Sequence, residues 1–198
     1  MSVRSVIAGI ALLAAQFTAH AQHGSPAAPS LPAVAPKEAA QFDFLVGQWE
    51  LDVKPAVNTL AAKIHGVPKM LGSWKAWRAL DGWGVEDELR ITDAAGNPKS
   101  FSHAVRMYDA TARKWRTSTV DVYRALVGMS TAEWKDGVMT SMSTGNDSEG
   151  KNFVARTRYL DITSDSFKFR QERSYDSGAT WEPNLAIDAK RVAAVAPR

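Results

Sequence analysis

Between Gln48 and Lys190 apolar and polar residues alternate with a period of two, and no long helical stretch interrupts them. Ten runs carry the alternation: 48–54, 73–80, 85–92, 100–108, 114–123, 126–135, 138–144, 152–162, 166–174 and 180–190. Turn-forming residues separate most of them: Asp81-Gly82, Gly96-Asn97-Pro98, Asp136-Gly137, the stretch from Asn146 to Gly150, and Asp176-Ser177-Gly178. Consecutive strands without crossover helices predict an all-β fold, a barrel or a sandwich, and argue against a βαβ arrangement.

The same alternation assigns faces. In the third run Glu86, Glu88 and Arg90 alternate with Val85, Asp87, Leu89 and Ile91; in the ninth Lys168, Arg170 and Glu172 alternate with Phe167, Phe169, Gln171 and Arg173. Charged rows face water, so the companion rows face inward. By that rule Trp49, Leu51 and Val53 point inward, as do Trp74, Arg78 and Leu80. Phe101, His103, Val105 and Met107 join them, followed by Trp115, Thr117, Thr119, Asp121 and Tyr123. Trp134, Tyr159, Trp181, Leu185 and Ile187 complete the inner row.

This row is not a plain core. Arg78, Asp87, His103, Asp121, Tyr123, Gln171 and Arg173 stand among its aromatics. An isolated charge in a dry interior is costly, so such groups need partners, water or a ligand. Two readings stay open: internal ion pairs near the ends of a barrel, or a ligand cavity lined by these residues together with Tyr159. His103 beside an inward Asp121 would also supply a general acid/base pair, the basis of an alternative reading as an isomerase or lyase. A filled interior, giving a structural or accessory domain, is the third class.

The segments outside the strands carry other signals. Arg4 precedes an apolar run over 5–17, and Ala19-His20-Ala21 offers the small-residue pattern of a signal-peptidase site. Residues 1–21 therefore read as a signal peptide cleaved after Ala21, which makes the protein periplasmic or secreted. Residues 22–37, with Pro26, Pro29, Pro32 and Pro36 among Ala and Ser, read as a disordered tether. The barrel domain is expected over 38–192, with a tail at 193–198. A short helix should follow Pro36, turn Phe42, Phe44 and Leu45 toward the core, and end at Gly47. The connection from Pro55 to Gly72 is too long for a hairpin, and Asn58 is a good N-cap for a short helix over 59–65. Its apolar face, with Leu60 and Ile64, predicts a helical lid between the first two strands.

Composition narrows the function. The 198 residues are 45% hydrophobic and 23% charged, with seven Trp, which suits one folded domain with a large aromatic interior. A net charge of +3 without a basic cluster gives no nucleic-acid footprint. The absence of Cys removes disulfides, thiolate metal sites, Cys nucleophiles and lipid attachment through Cys. No apolar stretch reaches the length of a spanning helix, so neither a membrane span nor a lipid anchor is expected. His20, His23, His65 and His103 show no metal-ligand spacing, and no metal or cofactor is expected. Nucleophile-elbow, P-loop and dinucleotide-binding motifs are missing.

Phe42-Asp43-Phe44-Leu45-Val46-Gly47-Gln48-Trp49 resembles the F-D-F-L-x-G-x-W opening of an uncharacterised bacterial family of secreted lipocalin-like proteins, and its G-x-W is similar to the first-strand signature of the calycins. The resemblance continues in Met107-Tyr108-Asp109 with Lys114-Trp115, in Ser174-Tyr175-Asp176-Ser177-Gly178-Ala179-Thr180-Trp181, and in Ala189-Lys190-Arg191. It implies a single closed antiparallel barrel plugged by a short helix at one end, with Trp49 under Arg191. Ten runs bring it nearer to fatty-acid-binding proteins and nitrobindin-like barrels than to eight-stranded lipocalins. No His lies in the last two runs, where nitrobindin-like proteins carry their haem ligand. The resemblance implies a binding protein for a small, partly apolar molecule held in the barrel.

Ser174-x-Asp176-x-Gly178-x-x-Trp181 also fits the Asp-box of sialidase-type propellers. One copy cannot build a propeller, and turn chemistry alone accounts for its residue types. It reads as a structural hairpin.

Overall fold

Each strand pairs antiparallel with its neighbour in the chain, and the last returns to the first, so the sheet closes into a ten-stranded barrel. The computed structural model describes residues 34–57, 64 and 66–193. The strands are β1 (Gly47–Pro55), β2 (Met70–Ala79), β3 (Gly84–Asp93), β4 (Pro98–Asp109), β5 (Lys114–Asp121), β6 (Leu126–Lys135), β7 (Val138–Asn146), β8 (Asn152–Leu160), β9 (Ser166–Ser174) and β10 (Glu182–Ala193). All ten correspond to the runs of alternation. Asn58, Leu60 and the rest of the expected lid helix, save Ile64, lie outside the described residues.

One end of the barrel is plugged by the chain before β1. The single helix expected there is instead two 3₁₀ turns, Lys37–Ala40 and Asp43–Leu45. Spacing gives the reason. Ala39, Phe42 and Leu45 are all buried and three residues apart, and 3₁₀ geometry, unlike an α-helix, stacks such positions in line. Phe42 meets Trp115 edge-on at 4.8 Å, and Trp49 meets Phe167 at 4.8 Å. The Trp49 indole donates to the Leu45 carbonyl at 2.8 Å, and that of Trp115 to the Gln41 side chain at 3.1 Å. Arg191 lies opposite Trp49 in the β1–β10 register, with its guanidinium 4.0 Å above the Trp49 ring. It also donates to the carbonyls of Val46 at 2.6 Å and Phe44 at 3.2 Å, clamping the plug to the last strand.

The inner faces of β1, β3, β5 and β9 follow the alternation: Trp49, Leu51, Val53, Val85, Asp87, Trp115, Thr117, Phe167 and Phe169 are buried. β4 is the reverse of the expectation. Ala104, Arg106 and Tyr108 are its buried residues, while Phe101, His103, Val105 and Met107 form the outer row. A second correction concerns the end of β2, where Leu80 and Asp81 adopt positive φ and the strand stops before Leu80. Leu80 is exposed, and Arg78 pairs with Asp43 of the plug. The third concerns Trp181. It precedes β10 and lies against the outward Arg156, whose guanidinium is 4.2 Å over the ring, not in the interior.

The Asp-box is the turn between β9 and β10. Ser174 Oγ accepts the Gly178 N–H at 2.7 Å and donates to Asp176 at 2.7 Å. Asp176 in turn accepts the Thr180 N–H at 2.9 Å. The Ser174 and Thr180 side chains hold the Asp176 carboxyl well below the usual carboxylate range. Gly178 has φ +97°, which a β-branched residue resists. Gly178→Val should therefore destabilise the barrel by about 1–3 kcal/mol in thermal or urea unfolding. A variant as stable as the parent would deny the turn its structural role.

Candidate functional site

Beyond the plug the interior opens into a cavity of about 270 Å³. Its floor is a buried polar cluster spanning β2, β3, β4 and β8. Asp87 on β3 accepts the Trp74 indole N–H at 2.8 Å and the Arg106 Nε–H at 2.6 Å. The Tyr159 side chain adjoins Arg106. Asp87 and Tyr159 are each 2% exposed and Arg106 is 7% exposed, so the ion pair is shielded from bulk water. Burial opposes the Arg106 charge, but the Asp87 carboxylate and the neighbouring Tyr159 oxygen more than offset it, raising the guanidinium above its ordinary value. The Tyr159 hydroxyl is raised as well, chiefly by burial.

The walls above this floor differ in chemistry. On one side stand Trp74, Leu89 and Phe169. On the other, β5 to β8 present Thr117, Thr119, Ser130, Ser141, Ser143 and Thr157. Strand register lines these hydroxyls up: Thr117 faces Ser130 across β5–β6, Ser130 faces Ser143, and Ser141 faces Thr157. Gln171 closes the row, its amide 3.3 Å from the Thr157 hydroxyl. Thr117 Oγ1 is buried and has no hydrogen-bond partner among the described residues. A hydroxyl left so on a cavity wall is a group a bound molecule can satisfy.

Of the residues expected to line the interior, Asp87, Tyr159 and Gln171 do so. Arg173 sits on the same inward row of β9, with its guanidinium 4.2 Å over Phe153. The other four are elsewhere. Arg78 serves the plug. Asp121 closes the β5–β6 turn by accepting the Arg124 N–H at 3.1 Å, and its carboxyl is lowered by the Arg124 side chain and backbone against the opposing effect of burial. Tyr123 belongs to that turn, 54% exposed and against the outer Phe101. His103 is on the outer face, 3.7 Å from Glu86 and near the Trp77 ring.

His103 and Asp121 are not brought together. His103 pairs across the sheet with Val120, whereas Asp121 pairs with Ser102 on the opposite face. The acid/base pair expected from the sequence therefore does not form, and the slip of one residue in β4 is the cause. The same slip hid Arg106, which sequence reasoning missed along with the hydroxyl row. One signal could have found Arg106: an inward Asp87 needs a buried cation, and the neighbouring strand offers no other Arg or Lys at its centre. Among the described residues no group of three or more His, Cys, Asp or Glu is placed to hold a metal ion. No described helix is long and apolar enough to cross a membrane.

No protein-family model and no curated protein matches the sequence. Solved structures do match in fold. The crystal structure of Rv2717c from M. tuberculosis is similar with a TM-score of 0.53 and 14% identity, over 80% of this chain and 99% of that one. The S-type phycobiliprotein lyase CPES from Guillardia theta is similar with a TM-score of 0.51 and 12% identity, over 78% of this chain and 95% of that one. At such identities the likeness is one of fold. The chain is thus an all-β protein of the closed, ten-stranded, up-and-down barrel class.

Proposed function

We propose that the barrel binds one small, partly apolar molecule in its interior. The observation that carries this reading is the cavity's division into an aromatic wall and a hydroxyl wall, with Thr117 Oγ1 on the latter buried and unpartnered among the described residues. A ligand with an apolar face and hydrogen-bonding groups along one edge complements both walls. Such a molecule would lie over Trp74 and Phe169, direct its polar edge at Thr117, Ser130, Ser141 and Thr157, and rest on the Asp87–Arg106 floor. The calycin-type family, an extracytoplasmic location after cleavage at Ala21, and a helical lid between β1 and β2 as the cover of the open end belong to the same proposal.

Native mass spectrometry of the full chain, purified from its own host, tests the reading. The expected spectrum contains a complex with one small molecule. Ala104 lines the cavity and is 3% exposed, so Ala104→Phe projects a ring into the space the ligand would fill. The variant should stay folded at a cost of about 1–3 kcal/mol, the usual penalty for added bulk, and should lose the adduct. An adduct that survives in the folded variant would place the ligand outside the barrel and overturn the proposal. A bare chain from the host under gentle desolvation would overturn it as well.

A further inference from the structure

The hydrogen-bonded ladder between β6 and β7 starts at Lys135↔Val138 and stops at Ser130↔Ser143. Both strands continue past that point. In β6, residues 126–129 pair only with β5, and in β7, residues 144–146 pair only with β8. The wall of the barrel therefore has a slot between these two strands, with backbone groups on each lip that have no strand partner across it.

The β6 lip and the outer surface beside the slot are apolar where water-facing rows are normally polar. Val127 is 69% exposed, Met129 63% and Met142 36%. Val154 extends the surface beside Thr144 in the β7–β8 register. Met129, Met142 and Val154 line an outer pocket of about 270 Å³. Met129, Ser130, Ser143 and Thr144 line both this pocket and the inner cavity, so the two spaces lie on either side of the slot and share its lips.

We propose that the ligand site runs through the wall: the bound molecule is amphipathic, with a hydrogen-bonding end inside the barrel and an apolar tail that leaves between β6 and β7 to lie on Met129, Met142 and Val154. The inference rests on the interior-binding reading and adds the ligand's shape and chemistry. The two charges on the inner cavity, Asp87 and Arg106, pair with each other, so the end held there is uncharged, a hydroxyl, carbonyl or amide. The inner space, about 270 Å³, falls just below the roughly 300–1,000 Å³ usual for ligand pockets. A longer molecule needs an exit, and the slot supplies an apolar one.

The test is calorimetric titration of the full chain with 1-alkanols of increasing length, each below its solubility limit. Three proteins are compared: the parent, Thr117→Val, and the double variant Met142→Ser/Val154→Ser. Met142 and Val154 stand in the outward rows of β7 and β8 and line the outer pocket but not the inner cavity, so their replacement leaves the interior as it is. In the parent, affinity should rise ~3–4-fold per methylene, the factor for burying one such group, and keep rising after the chain outgrows the interior. In the double variant the short alcohols should bind as before and the gain for the long ones should vanish. Thr117→Val should weaken every homologue by a similar factor. If short alcohols bind, Thr117→Val weakens them, and long ones gain nothing in the parent, the slot proposal falls and interior binding stands. If no homologue binds the parent, interior binding falls and the slot proposal with it. A dimer in sedimentation that the double variant splits would assign the apolar surface beside the slot to a second copy and overturn the proposal.

Discussion

Asp87→Ala should destabilise the barrel by about 3–5 kcal/mol, the cost of leaving a buried charge without its partner. The carboxylate is 2% exposed and accepts from both Arg106 and Trp74, so its loss strands a guanidinium and an indole N–H together. On the plug side Phe42 lies 5.1 Å from the guanidinium, so no polar group replaces the carboxylate from that direction. Removing both charges is a different experiment. Asp87→Leu/Arg106→Met replaces the pair with apolar groups of similar bulk, and it should be markedly more stable than Asp87→Ala. Urea titrations of the three proteins give the comparison. A loss within ±0.5 kcal/mol for Asp87→Ala would show the site to be solvated, and the floor described here would not exist.

The reasons for the pair's position bear on what a sequence can reveal. β3 was legible because Glu86, Glu88 and Arg90 mark its wet face so clearly that Asp87 had to point inward. β4 lacks such a marker. Its outer row, Phe101, His103, Val105 and Met107, is more apolar than its inner row, Ser102, Ala104, Arg106 and Tyr108. Hydrophobicity therefore favours the wrong face. Part of that outer row is covered: the Arg90 guanidinium lies 3.7 Å over Phe101, and His103 lies near Trp77. Two constraints outweigh hydrophobicity, and both are relations between strands. Arg106 must meet Asp87, and Tyr108 faces Trp115 across the β4–β5 hairpin, so an inward Trp115 takes Tyr108 inward with it.

The same division runs through the site. Asp87, Tyr159 and Gln171 could be read one strand at a time, because each sits in a row with clear alternation. The hydroxyl wall could not. Ser and Thr suit either face of a strand, and only the closure of β5 to β8 around a common space turns Thr117, Ser130, Ser141 and Thr157 into one surface. The slot beside them is less legible still. It arises where a ladder stops, and residues 126–129 look like any other strand in the pattern of the chain.

Trp49→Ala should be the other severe variant, lowering stability by about 3–5 kcal/mol, as deletion of a buried large aromatic does. The ring is 1% exposed and is held on three sides: Phe167 edge-on, the Leu45 carbonyl on the indole N–H, and the Arg191 guanidinium above the face. Its removal leaves a cavity between the plug and the barrel and costs Leu45 its anchoring bond. Arg191→Ala deletes the cation on the ring and the bonds to the Val46 and Phe44 carbonyls, yet those carbonyls lie at the rim of the closed end, where water can replace the lost donors. Its loss should be smaller, about 1.5–3 kcal/mol, the range for hydrogen bonds from charged groups. The order decides between two accounts of the plug. If packing of the ring holds it, Trp49→Ala is the worse of the two in urea unfolding and Arg191→Ala keeps a native tryptophan emission spectrum. If the arginine clamp holds it, Arg191→Ala costs as much as Trp49→Ala and its emission shifts toward that of exposed indole.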